Sequence, residues 1–301
     1  MSAHGGIAGS ARIVAHRWRD NPVIDFAAAQ PVGMAGILVI AVMLASAVFA
    51  QWVAPYDPVA ADFGAMLAPP SLAHPFGTDD FGRDILSRIM YGARTALSIG
   101  FLSSLTGCTI GTAIGVASAY FGGWKDLVVQ RFIDILLSFP IIVLALVVVA
   151  MLGHNRIAGI DVNLICAMSV PIAPRAARVI RAAAMSIREM PYVDAARAAG
   201  YSHTRIILRH MAPNVLAPYM ILLTAFIAQA ILLEASLSFL GLGVTEPTPA
   251  WGLMLSGNAV TFYQEAPWMI LFPGAAISLA VFAFNLVGDA LRDWLDPRFK
   301  T

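Results

Sequence analysis

Long uncharged apolar runs recur along this chain, and no other feature narrows its fold as much. Crossing ~30 Å of hydrocarbon takes about 20 helical residues. Six stretches meet or approach that length, at 32–53, 95–121, 135–152, 162–183, 215–240 and 266–288. The fourth has an uncharged core of only 162–174, and it reaches full length if Arg175, Arg178 and Arg181 extend their stems toward a headgroup layer. The first follows basic residues and ends in AVFA, as a secretory signal does. Its apolar stretch of about 22 residues exceeds the roughly 7–15 of a signal core, which favours a retained anchor.

Composition agrees. Of 301 residues, 59% are hydrophobic and 12% charged, against about 25% charged in soluble domains. A soluble domain is excluded on these grounds, and a net charge of +1 supplies no basic excess for nucleic acid. Cys108 and Cys166 lie far apart inside apolar runs, with no disulfide framework and no metal-ligand spacing, and read as buried thiols. The expected fold is an all-α polytopic membrane protein with about six transmembrane helices. Its layout is an N-terminal segment 1–31, a transmembrane domain 32–288 and a tail 289–301.

Basic residues set the orientation. With six spans both termini share a side with Arg12, Arg17, Arg19, Lys125, Arg131, Arg175, Arg178, Arg181, Arg188, Arg197, Arg205, Arg209, Arg292, Arg298 and Lys300. Only Arg83, Arg88, Arg94 and Arg156 of the 19 remain for the other side, so both termini are expected in the cytoplasm. The segments 54–93 and 251–268 then lie outside, and the loop 184–214 inside.

That inner loop carries EMPYVDAARAAGYSHTRIILRHMAPN from 189 to 214. Pro191 suits a first helical turn, Ala195, Ala196, Ala198 and Ala199 are strong helix formers, and Gly200 is a natural residue just past a helix end. Ser202 can cap a second helix, 204–211, and Pro213 marks the break before the fifth span. A helix bearing alanines rather than leucines buries little surface of its own but lets another backbone come close, which suits docking in a groove.

DAARAAG followed by APN resembles the EAA loop of permease subunits in binding-protein-dependent ABC importers, with Asp194 at the acidic position and Gly200 at the glycine. His210 and Ala212 stand where the broad family carries Ile and Leu, and a His there is familiar in the dipeptide and oligopeptide branch. HPFGTDDFGRDILSRIMYGAR (74–94), EASLSFLGLGVTEPTPAWGLML (234–255) and FPGAAISLAVFAFNLVGDALRDWLDPR (272–298) resemble the same branch. The resemblance implies a type I ABC importer permease fold in the inner membrane of a bacterium. It also implies a homologous permease subunit, two cytoplasmic ATPase subunits that bind ATP and Mg, and an external substrate-binding protein. Pro191, Tyr192, Val193, Asp194, Ala195, Ala196, Arg197, Ala198, Ala199 and Gly200 would form the ATPase-coupling loop. This chain would be non-catalytic and hold no cofactor of its own. Its two lysines, Lys125 and Lys300, fit no phosphate-binding G-x-x-x-x-G-K-[ST] pattern. Dipeptides and oligopeptides lead as substrates, while nickel chelates and glutathione share this permease type.

Other residues carry two readings. Gly107, Gly111 and Gly115 line one helical face and allow close packing, against either the homologous permease or a span of this chain. Pro140, Pro171 and Pro174 free backbone carbonyls and predict kinks. Glu234, an ionisable group in or near a span, serves either the pathway or gate, or local packing. Arg175, Arg178 and Arg181 share one arc, as a topology-setting stripe or a coupling element. Asn285 and Asp289 are expected to cap or pair locally. Asp79, Asp80 and Asp84 surround Arg83, with tight turns at Gly77 and Gly82, as local salt bridges or an external docking lip. A secondary transporter would need intramembrane carboxylates, for which Glu234 alone qualifies. An intramembrane enzyme finds neither H-E-x-x-H nor G-x-S-x-G.

Overall fold

The computed structural model describes residues 27, 29–153, 155–157 and 160–295. Arg12, Arg17, Arg19, Arg298 and Lys300 lie outside the described residues, as do most of the 1–31 segment and the end of the tail.

Helix α1 (Pro31–Val53) opens on a proline, whose missing N–H is no loss in a first turn. Helix α2 (Ile85–Phe121) is capped by Asp84, which accepts from the Ser87 N–H, and stops at Gly122 with φ +60. Helices α3 (Gly123–Leu137) and α4 (Ile141–Leu152) follow, bent by 92° at the break before Pro140. A two-residue ladder pairs β1 (Arg156–Ile157) with β2 (Ile160–Asp161) and leads into α5 (Val162–Arg188). Next come α6 (Pro191–Ala198), α7 (His203–Ile206) and α8 (Leu216–Phe239). Two short helices, α9 (Trp251–Met254) and α10 (Asn258–Thr261), precede the last, α11 (Trp268–Leu295).

Several expected boundaries move. The second span begins at Ile85, not 95, because Asp84 caps it there, so part of the expected outer segment 54–93 is already helix. The third, expected over 135–152, is broken: Pro140 disfavours a helical Phe139, and only the 12 residues of α4 continue. The helix expected at 204–211 is α over His203–Ile206, then a π turn Ile207–Met211 and a 3-10 turn Ala212–Val215. Pro213 therefore tightens the helix into α8 rather than ending it.

Fewer than six of the expected spans are apolar enough throughout to qualify by length and composition alone. Among the described residues, Pro31–Val53, Ile85–Phe121, His203–Phe239 and Trp268–Leu295 are long and apolar enough to cross a membrane, and α3 with α4 adds a fifth if the bent pair is one span. Helix α5 has the length, 27 residues or about 40 Å, but carries Arg175, Arg178, Arg181 and Arg188. One face of it is packed inside the protein: Leu164, Met168, Ile172, Ala176, Ala177, Ile180 and Ala184 are all at 0% exposure. A helix packed in this way needs less of an apolar exterior.

Close glycine contacts hold the helices together. Gly107, Gly111 and Gly115 of α2 face α5, where a Cβ on Gly107 would lie 2.7 Å from Ile172 Cγ2 and one on Gly115 2.5 Å from the Ala177 carbonyl. Gly36 of α1 meets Ala283 and Val287 of α11, and Gly288 of α11 meets Thr224 of α8. The main core runs between α2, α5 and α8, with smaller clusters at each end. One end gathers α3, α6, α7 and the last turns of α2 and α5; the opposite end gathers the 54–84 segment, α9, α10 and the start of α11.

Candidate functional site

At the α6 end the chain builds a small platform. Pro191 occupies the first turn of α6, and Val193 at 0% and Ala196 at 5% exposure point inward. They meet Val116, Tyr120, Ile180, Ile206, Met211 and Val215, a core drawn from α2, α5 and the run into α8. Gly200 has φ +77. Its N–H donates to the Arg197 carbonyl at 3.0 Å, and the Tyr201 N–H reaches back to Ala196 at 3.1 Å. This is a Schellman ending, which a left-handed glycine makes inexpensive. Ser202 then caps α7 through the Arg205 N–H at 3.3 Å.

Side chains brace the platform from beneath. Tyr120 Oη and His203 Nδ1 are 2.8 Å apart, and Arg188 donates to the Ala119 carbonyl at 3.0 Å. His210 lies against the Tyr201 ring, over which Arg205 stacks at 4.0 Å. What remains outward is Pro191, Tyr192, Asp194, Ala195, Arg197, Ala198, Ala199 and Gly200. Asp194 and Arg197 pair at 3.0 Å on the exposed face. The ten residues singled out in the sequence thus divide in two, because a helix anchored on its own chain must turn one side inward. Val193 and Ala196 hold the platform, and the other eight present it.

The arginine stripe has partners that the sequence did not suggest. Arg181 donates to Asp126 with Nε 2.7 Å from Oδ1, and Arg178 pairs with Asp134. Both acids belong to α3, whose opposite face leaves Trp124, Leu127, Val128, Phe132 and Ile135 exposed, as suits a helix lying in a membrane interface. Arg175 is partly buried, and its Nη1 has no partner among the described residues. Pro171 and Pro174 are buried inside an unbroken α5. Asn285 and Asp289 are exposed on α11. Cys108 is buried, but Cys166 is exposed, contrary to the expectation for both, because the α5 face that carries it is not covered by this chain.

At the opposite end the acids around Arg83 separate. Asp79 takes Arg83 Nε at 2.7 Å, while Arg83 Nη1 reaches Glu246 at 3.0 Å. Burial works against the Arg83 charge, and Asp79 and Glu246 outweigh it, holding the guanidinium above its ordinary range. Asp80 accepts from Asn258 at 2.6 Å, and Asp84 binds Ser87 and His74. Arg88, 1% exposed, donates to the Pro58 carbonyl at 3.0 Å and sits 3.5 Å from Glu246. Asp79, Asp80, Arg83, Arg88, Glu246 and Asn258 line a cavity of about 260 Å³. Gly77 and Gly82 both take positive φ, as their turns require. Sequence reasoning missed Arg88, Glu246, His74, Asp126 and Asp134; they pair with Glu246, Arg83 and Arg88, Asp84, Arg181 and Arg178 in turn, 10 or more residues away, and no local spacing marks such pairs.

Glu234 is wholly buried in α8. Its Oε1 accepts from Ser238 Oγ at 2.7 Å, and Oε2 has no partner among the described residues. Ser238 Oγ in turn accepts the Val244 N–H at 3.0 Å. Among the described residues no group of three His, Cys, Asp or Glu could hold a metal ion.

Residues 111–301 match the family described as binding-protein-dependent transport system inner membrane component, and residues 28–70 match the N-terminal TM domain of oligopeptide transport permease C. The chain is similar to a dipeptide transport system permease protein of Alkalihalophilus pseudofirmus, 41% identical over 88% of this chain and 86% of that one. A putative peptide transport system permease protein of Brucella suis is 42% identical over 88% and 87% of the two chains. A glutathione transport system permease protein of Escherichia coli is 40% identical over 90% and 88%. Among solved structures, the MetNI methionine ABC transporter in inward-facing form aligns with a TM-score of 0.50 at 20% identity, over 69% of this chain and 97% of that one. At that identity the likeness speaks for the fold alone.

Proposed function

The chain belongs to the family of binding-protein-dependent transport system inner membrane components, and on that footing we propose that it forms half of the translocation pathway of an ATP-driven peptide importer. Dipeptides and oligopeptides are the leading substrates. The names of similar proteins support this, and glutathione and nickel chelates are the nearest alternatives. The subunit is non-catalytic: two cytoplasmic ATPases bind ATP and Mg, a homologous permease completes the pathway, and an external binding protein delivers the solute. The α6 end faces the cytoplasm, in keeping with the basic residues gathered there.

The observation that carries this reading is the platform at α6. A short alanine helix, locked by Val193, Ala196 and the Gly200 turn, leaves Ala195, Ala198 and Ala199 outward with almost no side-chain bulk. Such a surface admits close approach by another protein's groove. ATP binding would draw the ATPases together and carry the platform with them, shifting the helices between inward- and outward-open states. Ala196 faces inward, so a test of docking must use the outward alanines. Ala195→Asp and Ala198→Trp should leave insertion and pairing with the homologous permease intact, while co-purifying ATPase falls about tenfold, as when an interface residue in a close-packed centre is spoiled. Full ATPase retention and full uptake in both variants would reduce the loop to a connector. Uptake driven by an ion gradient without ATP would overturn the importer reading itself.

A further inference from the structure

The segment 240–252, from the end of α8 into the first turn of α9, does not leave the molecule as a free loop. It folds back on the end of α8: the Leu242 and Gly243 N–H groups both donate to the Leu237 carbonyl at 3.0 Å, and a Cβ on Gly243 would lie 2.5 Å from Ser238 N. Gly252 presses on the Ala235 backbone. The far side of the same segment is fastened to α2. Thr95 Oγ1 donates to the Pro249 carbonyl at 3.0 Å, and Trp251 Nε1 donates to Ile89 at 3.0 Å. The Trp251 ring fills the notch left by Gly92. Glu246 adds the bridges to Arg83 and Arg88. The segment is thus a strap that ties α8 to α2 at the end opposite the platform.

One polar relay seats that strap, and its root is Glu234. A serine inside a helix ordinarily turns its hydroxyl back to the carbonyl four residues earlier. The Ser238 hydroxyl donates to the Glu234 carboxyl instead, and a lone pair of Ser238 Oγ is left to accept from the Val244 N–H. Glu234 and Ser238 are both at 0% exposure, and Val244 is at 4%. An ionisable group held in a span is costly enough to call for a role. Resting on the importer reading above, we propose that Glu234 is a positioning residue that seats the strap through Ser238, so that the outer ends of α2 and α8 move as one body when the outer mouth opens and closes.

The test uses the whole transporter reconstituted in vesicles. Its readouts are hydrogen exchange across 240–252, ATP-dependent uptake, and ATP hydrolysis with and without the binding protein. Glu234→Ala should speed exchange at Val244 about tenfold, the size of one ordinary hydrogen bond lost. Uptake should fall by a similar factor, with hydrolysis no longer depending on the binding protein. Glu234→Gln, which keeps an acceptor for Ser238, should restore exchange, uptake and coupling to within about twofold. Ser238→Ala is a mild change for a helix and should reproduce Glu234→Ala, deciding the matter if that variant fails to assemble. The proposal is overturned if uptake is lost while Val244 exchange stays at its wild-type rate, which would place Glu234 directly in the pathway. Faster exchange with uptake and coupling unchanged would also overturn it, because the strap would then be no part of a gate. A wild-type complex without ATP-dependent uptake would count against the importer reading instead.

Discussion

Two glycines show how one residue type serves different physics. Gly111 is buried between α2 and α5, where a Cβ would lie 2.7 Å from Ala176 Cβ and closer still to the Ala173 carbonyl. Gly200 has nothing within 4 Å of a Cβ position but holds φ at +77. Gly111→Val must therefore push two helices apart, whereas Gly200→Ala meets only backbone strain. The expected losses are about 3 kcal/mol for the first and about 1 kcal/mol for the second. Thermal unfolding of the detergent-solubilised chain measures both. The reverse order would mean that the glycine face does not bear on α5.

At the scale of elements, α3 is fastened to α5 by two ion pairs of unequal burial. Asp126 and Arg181 have side chains 16% and 25% exposed, and Asp134 and Arg178 are 49% and 51% exposed. Screening by water leaves the outer pair worth about 0–1 kcal/mol. The inner pair is more sheltered, and Ser118 also donates to Asp126. Asp126→Asn is expected to cost about 2 kcal/mol and Asp134→Asn less than about 1 kcal/mol. Raising salt should narrow the Asp134 effect further and leave most of the Asp126 effect. No loss from either variant in a chemical unfolding series would show that α3 is held by its apolar contacts alone.

The whole molecule has two unlike ends, and this sets its topology test. Gly36 near the start of α1 lies against Ala283, Leu286 and Val287 in the second half of α11. The two helices are therefore antiparallel, and the start of the first shares an end with the close of the last. That end also holds α6 and α7. Reporters placed after Thr301 and within 186–202 should both score as cytoplasmic, and one within 257–265 as external. A reporter after Thr301 that scored as external would break the layout.

Much of this was legible in the sequence because local chemistry decides it. Apolar length marked the helices, Pro191 and Gly200 marked the ends of α6, Ser202 marked the cap of α7, and the quoted motifs marked the family. Each of these is read from one continuous stretch of chain, without knowing which distant segment packs against it. Tertiary structure alone decided that Gly107, Gly111 and Gly115 meet α5 rather than a second subunit. It also decided that Ala196 faces inward and that the fourth expected span is an arginine-bearing helix packed along one face against this chain. The same holds for the bridge from Arg83 to Glu246, 163 residues along the chain. Sequence period says which residues share a face of a helix, but which neighbour that face meets depends on how the helices cross, and the closeness of approach at small residues settles that.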